Sequence, residues 1–270
     1  MSHGPFADLR NRFGERLDVA FVAASGDAAS DAASDAASSA RPLAVLAHGV
    51  TSAHDRPYLI ALGEALSARG VAVARLSFAG NGASEGRFEE CCPSKEVGDL
   101  GALLDAAVAA GFGPIGYAGH SMGGAVGVLR AARDPRLAAL VSLAGMHHVG
   151  RFYARVAAQL RYGELLLGKP GCPWGKPLDE DARALGSLDV AAAAVPCPWL
   201  LVHGTMDELV PIGDSFDARA AAQAAGRSPE LLALSGVDHR FTGAIESLVR
   251  AVVPWLAERL SCRSGGVPTP

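Results

Sequence analysis

The 270-residue sequence contains no run approaching the ~18 consecutive apolar residues of a membrane-spanning helix, so no membrane partner is expected. It has no excess of positive charge either: Lys and Arg number 24 against 28 Asp and Glu, a net charge of −4, which argues against nucleic acid as a partner. Met1 to Arg10 hold no apolar core of the signal-peptide type, and a cytoplasmic location is the expectation. The five cysteines (Cys91, Cys92, Cys172, Cys197, Cys262) are odd in number and lack metal-ligand spacing. Free thiols in a reducing compartment fit them best, with no metal and no disulfide framework. Phosphate-binding loops are missing too. The turn Gly80-Asn81-Gly82-Ala83-Ser84-Glu85-Gly86 has neither the Lys-[Ser/Thr] of a P-loop nor G-x-G-x-x-G spacing, and no cofactor is expected.

Apolar residues are plentiful, at 50% of the chain, enough for the core of one large α/β domain spanning 1–270. Residues 6–23 read as an edge hairpin, with Leu17 to Val22 alternating like a half-buried strand. The tetrapeptide Asp-Ala-Ala-Ser then occurs three times in succession, Asp27 to Ser38, inside a low-complexity stretch of 24–41. A unit so short and so poor in apolar bulk cannot pack, and it reads as an expanded surface loop. From Leu43 onward, continuous apolar runs (Leu43 to Ala47, Val71 to Leu76, Pro114 to Ala118, Leu137 to Ala144, Trp199 to His203, Leu231 to Leu234) alternate with helical patterns near 57–69, 95–110, 124–133, 214–225 and 245–260. Such alternation predicts a doubly wound, mostly parallel sheet with helices on both faces. Regularity lapses only over 146–195, an insertion too short for a separate domain.

In sheets of this kind, chemistry gathers past the carboxyl ends of the strands. Four strand ends carry polar groups: His48-Gly49-Val50; Gly119-His120-Ser121-Met122-Gly123; Gly204-Thr205-Met206-Asp207; and Asp238-His239. The G-x-S-x-G pentapeptide between a strand and a small-residue helix predicts a tight turn that exposes a nucleophilic serine at a helix N-terminus. A serine hydroxyl attacks only when a base takes its proton, which is the role of His239. Asp207 would fix the tautomer of that imidazole, in preference to Glu208 and Asp214, and Asp238 reads as a turn-former. His203, inside a strand, reads as a structural histidine.

With Ser, acid and His in that chain order, residues 40–260 resemble the α/β-hydrolase superfamily, specifically the small bacterial and plant hydrolases related to cinnamoyl and feruloyl esterases and to serine aminopeptidases. The resemblance implies the α/β-hydrolase fold, with 146–195 as a short helical cap. It implies an acyl-enzyme mechanism with Ser121, Asp207 and His239 as catalytic residues, and an oxyanion hole made by the backbone N–H groups of Val50 and Met122. For the substrate pocket it leaves His48, His147, His148, Phe152 and Tyr153 as candidates, with Arg151, Arg155 and Arg161 at its mouth. The expected partner is a small-molecule ester, and the expected assembly a monomer or homodimer. Carboxylesterase, thioesterase, lactonase and aminopeptidase share this machinery, and a hydrolase-like receptor is the reading from outside enzymology. A dinucleotide-binding oxidoreductase would need glycines where His48-Gly49-Val50-Thr51 stands.

Overall fold

In the computed structural model, which describes residues 4–25 and 41–261, the apolar runs form one seven-stranded sheet. The strands are β1 (Asp18–Val22), β2 (Leu43–Ala47), β3 (Ala72–Ser77), β4 (Ile115–His120), β5 (Leu137–Leu143), β6 (Trp199–Gly204) and β7 (Glu230–Leu234). They lie in the order β1-β3-β2-β4-β5-β6-β7, all parallel except the edge strand β1, which pairs antiparallel with β3. The Asp-Ala-Ala-Ser repeat lies outside the described residues.

The unbroken apolar character of β2 follows from burial on both faces. Leu43, Val45 and Ala47 join the core under α2 (Pro93–Ala109) and α3 (Met122–Ala131). Ala44 and Leu46 point the other way, into the core under α1 (Pro57–Ser67) and α8 (Ile245–Ser261). Because β3 and β4 flank β2 on opposite sides, the chain reverses its winding there. A crevice therefore opens past the carboxyl ends of β2 and β4, at His48 and Ser121.

The N-terminal hairpin predicted over 6–23 forms only in part. Its second arm is β1, but its first arm is a series of turns touching residue 16 through a single bridge, Arg10 to Arg16. Asn11 explains the difference: its Oδ1 accepts the N–H groups of Phe13 and Glu15, a local turn that competes with strand pairing. Phe6 and Leu9 are nonetheless buried against the core.

Between β5 and β6 the irregular segment folds as α4 (Val149–Ala157), α5 (Lys176–Leu185) and α6 (Asp189–Ala194), with a 3₁₀ turn at Leu166–Gly168. The last helix of the α2/α3 side is α7 (Gly213–Ala224), which packs on α6.

One core residue opposes folding. Glu96 on α2 is 1% exposed, and neither carboxylate oxygen has a hydrogen-bond partner. Burial, reinforced by Asp99 and Asp181, pushes its carboxyl well above the usual 4.5. The unfolded chain releases this proton near the usual value while the folded chain holds it to higher pH, so the native state loses stability as pH rises through that window. Glu96→Gln, which has no proton to hold, should therefore melt progressively higher than the parent protein as pH is raised from 5 to 9. A melting-temperature difference that stays flat across that range would contradict this placement of the proton.

Candidate active site

Ser121 follows the last residue of β4 and precedes the first turn of α3, with backbone angles of φ 54° and ψ −117°. A non-glycine residue there is strained by ~1–3 kcal/mol, a cost that persists only where the surroundings impose it. Here they do: the Ser121 N–H continues the ladder to Leu143 O at 2.9 Å, and its carbonyl accepts from Met146 N at 3.0 Å. Gly123 makes the turn possible, since a Cβ on it would lie 2.4 Å from the carbonyl oxygen of His48. The loop after β2 thus comes down onto the turn after β4. A Cβ on Gly49 would stand 2.8 Å from that of Ser121, so the two residues are in contact.

His48 holds this loop from behind. Fully buried, its Nε2 accepts the Phe78 N–H at 3.1 Å, which leaves Nδ1–H to donate to Gly49 O at 2.7 Å. Burial lowers its pKa to about 4, in keeping with that neutral tautomer. In a trans peptide the N–H points opposite to the C=O. Turning the Gly49 carbonyl inward to His48 therefore turns the Val50 N–H the other way.

Asp207 and His239 come from loops after β6 and β7. Gly204 permits their approach: a Cβ there would sit 2.2 Å from Val237 O, and Met206 N–H bonds that same carbonyl at 3.0 Å. Asp207 Oδ2 lies 2.7 Å from His239 Nδ1 and 3.1 Å from His203 Nε2, while Oδ1 accepts Leu209 N–H at 3.0 Å and Val210 N–H at 2.8 Å. Burial works to raise the carboxyl, but the hydrogen bonds from His203, His239 and Val210 outweigh it and hold Asp207 well below the usual carboxylate range. An ionised carboxylate only accepts, so both facing ring nitrogens carry hydrogens. His239 in its neutral form then has Nε2 free to take a proton. His203 is the counterpart: Nε2–H is shared between Asp207 and Val210 O (2.9 Å), and Nδ1 accepts from Ser215 Oγ at 2.8 Å. Asp238 shapes the turn that carries His239, its Oδ1 accepting the N–H groups of Arg240 and Thr242.

Ser121 and His239 line one cavity of about 450 Å³, with Gly49 and Val50 on one wall and Tyr58, Leu209 and Phe241 on others. That volume suits a small organic substrate. His120, the middle residue between Gly119 and Ser121, also reaches it. Its Nε2–H donates to the backbone carbonyl of His239 at 2.8 Å, and its ring packs on His239, Tyr58 and Phe241. Burial, with the neighbouring His239 charge adding to it, lowers its pKa to about 3.

The five pocket candidates His48, His147, His148, Phe152 and Tyr153 do not line this cavity. His48 is committed to the loop behind it. His147 is buried against Trp199 with neither ring nitrogen bonded, and its pKa falls to about 3 through burial. His148 turns toward α7, its Nε2 at 2.8 Å from Asp217 and its N–H on Asp214. The strongly amphipathic α4 buries Phe152 and Tyr153 in the main core, where Tyr153 stacks on Trp174 and its hydroxyl meets Met122 Sδ. Arg151 pairs with Asp214 and Arg155 donates to Leu209 O; neither lines the cavity, nor does Arg161. Leu167 and Lys169 are the residues of the inserted segment that do. Among the described residues no group of three or more His, Cys, Asp or Glu is placed to hold a metal ion, and no helix is long and apolar enough to cross a membrane.

Solved structures with the same fold include Est1E of Butyrivibrio proteoclasticus with ferulic acid bound. It is 24% identical, covering 92% of this chain and 97% of that one, with a TM-score of 0.77. The esterase domain of a Rhodothermus marinus protein is 22% identical over 93% of this chain and 96% of that one, with a TM-score of 0.67. A puromycin-hydrolysing peptidase of Mycobacterium tuberculosis is 20% identical over 96% of this chain and 40% of its own, with a TM-score of 0.69. No curated protein matches the sequence. The sequence pattern of the prolyl oligopeptidase family matches residues 61–262, which include the Ser121 turn and both loops that carry Asp207 and His239. On that match, over most of the chain, the protein belongs to the prolyl oligopeptidase family and is a serine hydrolase of the α/β-hydrolase fold.

Proposed function

We propose that the protein hydrolyses small carboxylic esters through an acyl-enzyme formed on Ser121. The observation that carries this reading is a strained serine sharing a cavity with an imidazole whose far nitrogen is tied to a buried carboxylate at 2.7 Å. Ser121 Oγ attacks the ester carbonyl carbon while its proton passes to His239 Nε2. The carbonyl electron pair moves onto oxygen, for which the Val50 and Met122 N–H groups are the donors. The pair returns, the C–O bond to the alcohol breaks, and His239 gives the leaving oxygen its proton. Water then repeats the sequence with His239 as base, releasing the acid and restoring Ser121.

An aminopeptidase on the same machinery would bind a substrate with a free, positively charged α-amino group, which a carboxylate normally receives. The cavity wall holds no Asp or Glu side chain, which favours the ester reading. Its apolar wall at Tyr58, Leu167, Leu209 and Phe241, together with its modest volume, supports a short acyl chain or a single aromatic ring.

A p-nitrophenyl ester series tests the acyl preference. kcat/KM should peak between C2 and C6 and fall at least tenfold by C12, with hydroxycinnamoyl esters accepted. A steady rise through C12 would mean a long acyl channel. Faster turnover of aminoacyl amides than of any ester would transfer the assignment to a peptidase.

A further inference from the structure

The cavity beside Ser121 is lined by three cationic side chains, Arg56, Lys169 and Arg240, and by no acidic one. This is unexpected in a chain whose net charge is −4. The three come from separate parts of the fold: the residue preceding α1, the inserted segment after the 3₁₀ turn, and the loop that carries His239. None of them forms an ion pair among the described residues, whereas Arg130, Arg136, Arg151, Arg183 and Arg259 all face carboxylates.

Arg56 is the most fixed of the three. It is half-buried, and its Nε donates to Ser52 Oγ at 2.6 Å, which holds the guanidinium at the cavity wall with its terminal nitrogens uncommitted. It also stands at the amino end of α1, whose first turn has no acidic residue, so the helix dipole adds to the same positive potential. The nearest acids in sequence are turned to other work or stay outside. Asp238 accepts the Arg240 and Thr242 N–H groups and interacts with the Arg240 charge without forming an ion pair with it, while Asp55 and Glu208 are exposed; none of the three lines the cavity. Asp207, behind His239, is satisfied by four hydrogen-bond donors.

Unpaired cations from separate segments around one concave site, with no carboxylate among them, make a receptor for negative charge. Resting on the esterase reading above, we propose that the natural substrate is a carboxylate-bearing ester, whose anionic group is received by Arg56 with Lys169 and Arg240 while Ser121 attacks the ester carbonyl. An arginine held by its Nε still offers the paired terminal N–H groups that match a carboxylate, and the two exposed cations steer the anion into the cavity.

Two pairs of probes place the charge on either side of the scissile bond. On the alcohol side they are 3-acetoxybenzoate and 3-acetoxybenzamide; on the acyl side, monoethyl adipate and the corresponding monoamide ethyl ester. In at least one pair the carboxylate should bind the Ser121→Ala protein ten or more times more tightly than its neutral partner, and kcat/KM of the parent enzyme should favour it to a similar degree. The preference should shrink at least fivefold in Arg56→Met, and also in 0.5 M KCl, because exposed charges are screened. Lys169→Gln combined with Arg240→Gln, both on exposed residues, should shrink it too if Arg56→Met fails to fold. Equal binding and equal kcat/KM within both pairs would overturn the anion site while leaving the hydrolase intact. A carboxylate preference in binding to the Ser121→Ala protein, with turnover of none of the four esters by the parent, would keep the anion site and remove the esterase reading.

Discussion

Ser121→Ala should lower kcat by about 10⁴–10⁶, with the fold unchanged, because the remaining groups are left with nothing to activate. A companion variant separates chemistry from stability. Alanine keeps the Cβ that makes φ 54° costly, whereas glycine occupies that region freely. Ser121→Gly should therefore be as inactive as Ser121→Ala yet melt at a higher temperature. Parallel thermal melts check it: a glycine variant melting below the alanine variant would mean the turn stores no strain. A loss of less than tenfold in either variant would remove Ser121 from the reaction.

The second large effect is expected at Asp207. Asp207→Asn should reduce kcat by about 10⁴, the scale for an acid that sets the tautomer of its histidine. The reason lies in the four donors around the carboxylate. An asparagine has one accepting oxygen and one donating nitrogen. If the oxygen faces His203 and His239, the amide N–H₂ confronts the N–H groups of Leu209 and Val210. Flipped, it confronts the two imidazoles and drives His239 into the wrong tautomer. Neither orientation satisfies the site, so stability should fall as well. Glu208→Gln and Asp214→Asn are the controls, since Glu208 is exposed and Asp214 is occupied with Arg151 and the His148 N–H. Steady-state kinetics on one activated ester compares all three. If Asp214→Asn is the crippling change, the acid has been misassigned.

The polar ends of the strands were legible in the sequence because each sits at a place where composition changes abruptly. In β2 and β4 the unbroken apolar run is a strand covered on both faces, so the first polar residues after it lie at the carboxyl end of the sheet, whereas β7, which leads to His239, is mostly exposed. Gly119, Ser121 and Gly123 stand out there because a strand-to-helix reversal of that tightness excludes side chains around it. The cavity wall was not legible, and α4 shows why. Phe152 and Tyr153 announce an apolar face by their spacing, but spacing does not say which surface that face meets. They meet the main core, with Trp174 stacked on Tyr153, and leave Leu167 and Lys169 to reach the cavity. The same limit hid Arg56, whose position depends on where α1 begins relative to Ser121. His203 lies inside β6 with both ring nitrogens hydrogen-bonded. Its hydrogen bond to Asp207 is legible only once the turn after β6 is known, because that turn folds Asp207 back beside the residue four positions earlier. In the N-terminal segment, the side chain of Asn11 offers the backbone a turn that apolar alternation cannot register.

The most direct test of the account is intact-protein and peptide mass spectrometry after treatment with a fluorophosphonate. Ser121 should carry one covalent phosphonyl adduct per chain, formed in step with loss of esterase activity, and Ser121→Ala should carry none. Two other serines are engaged elsewhere: Ser84 Oγ donates to Ser77 O, and Ser142 Oγ, fully buried, accepts the Trp199 Nε1–H. An adduct on either of these, or full activity retained with Ser121 modified, would contradict the assignment of Ser121 as the nucleophile.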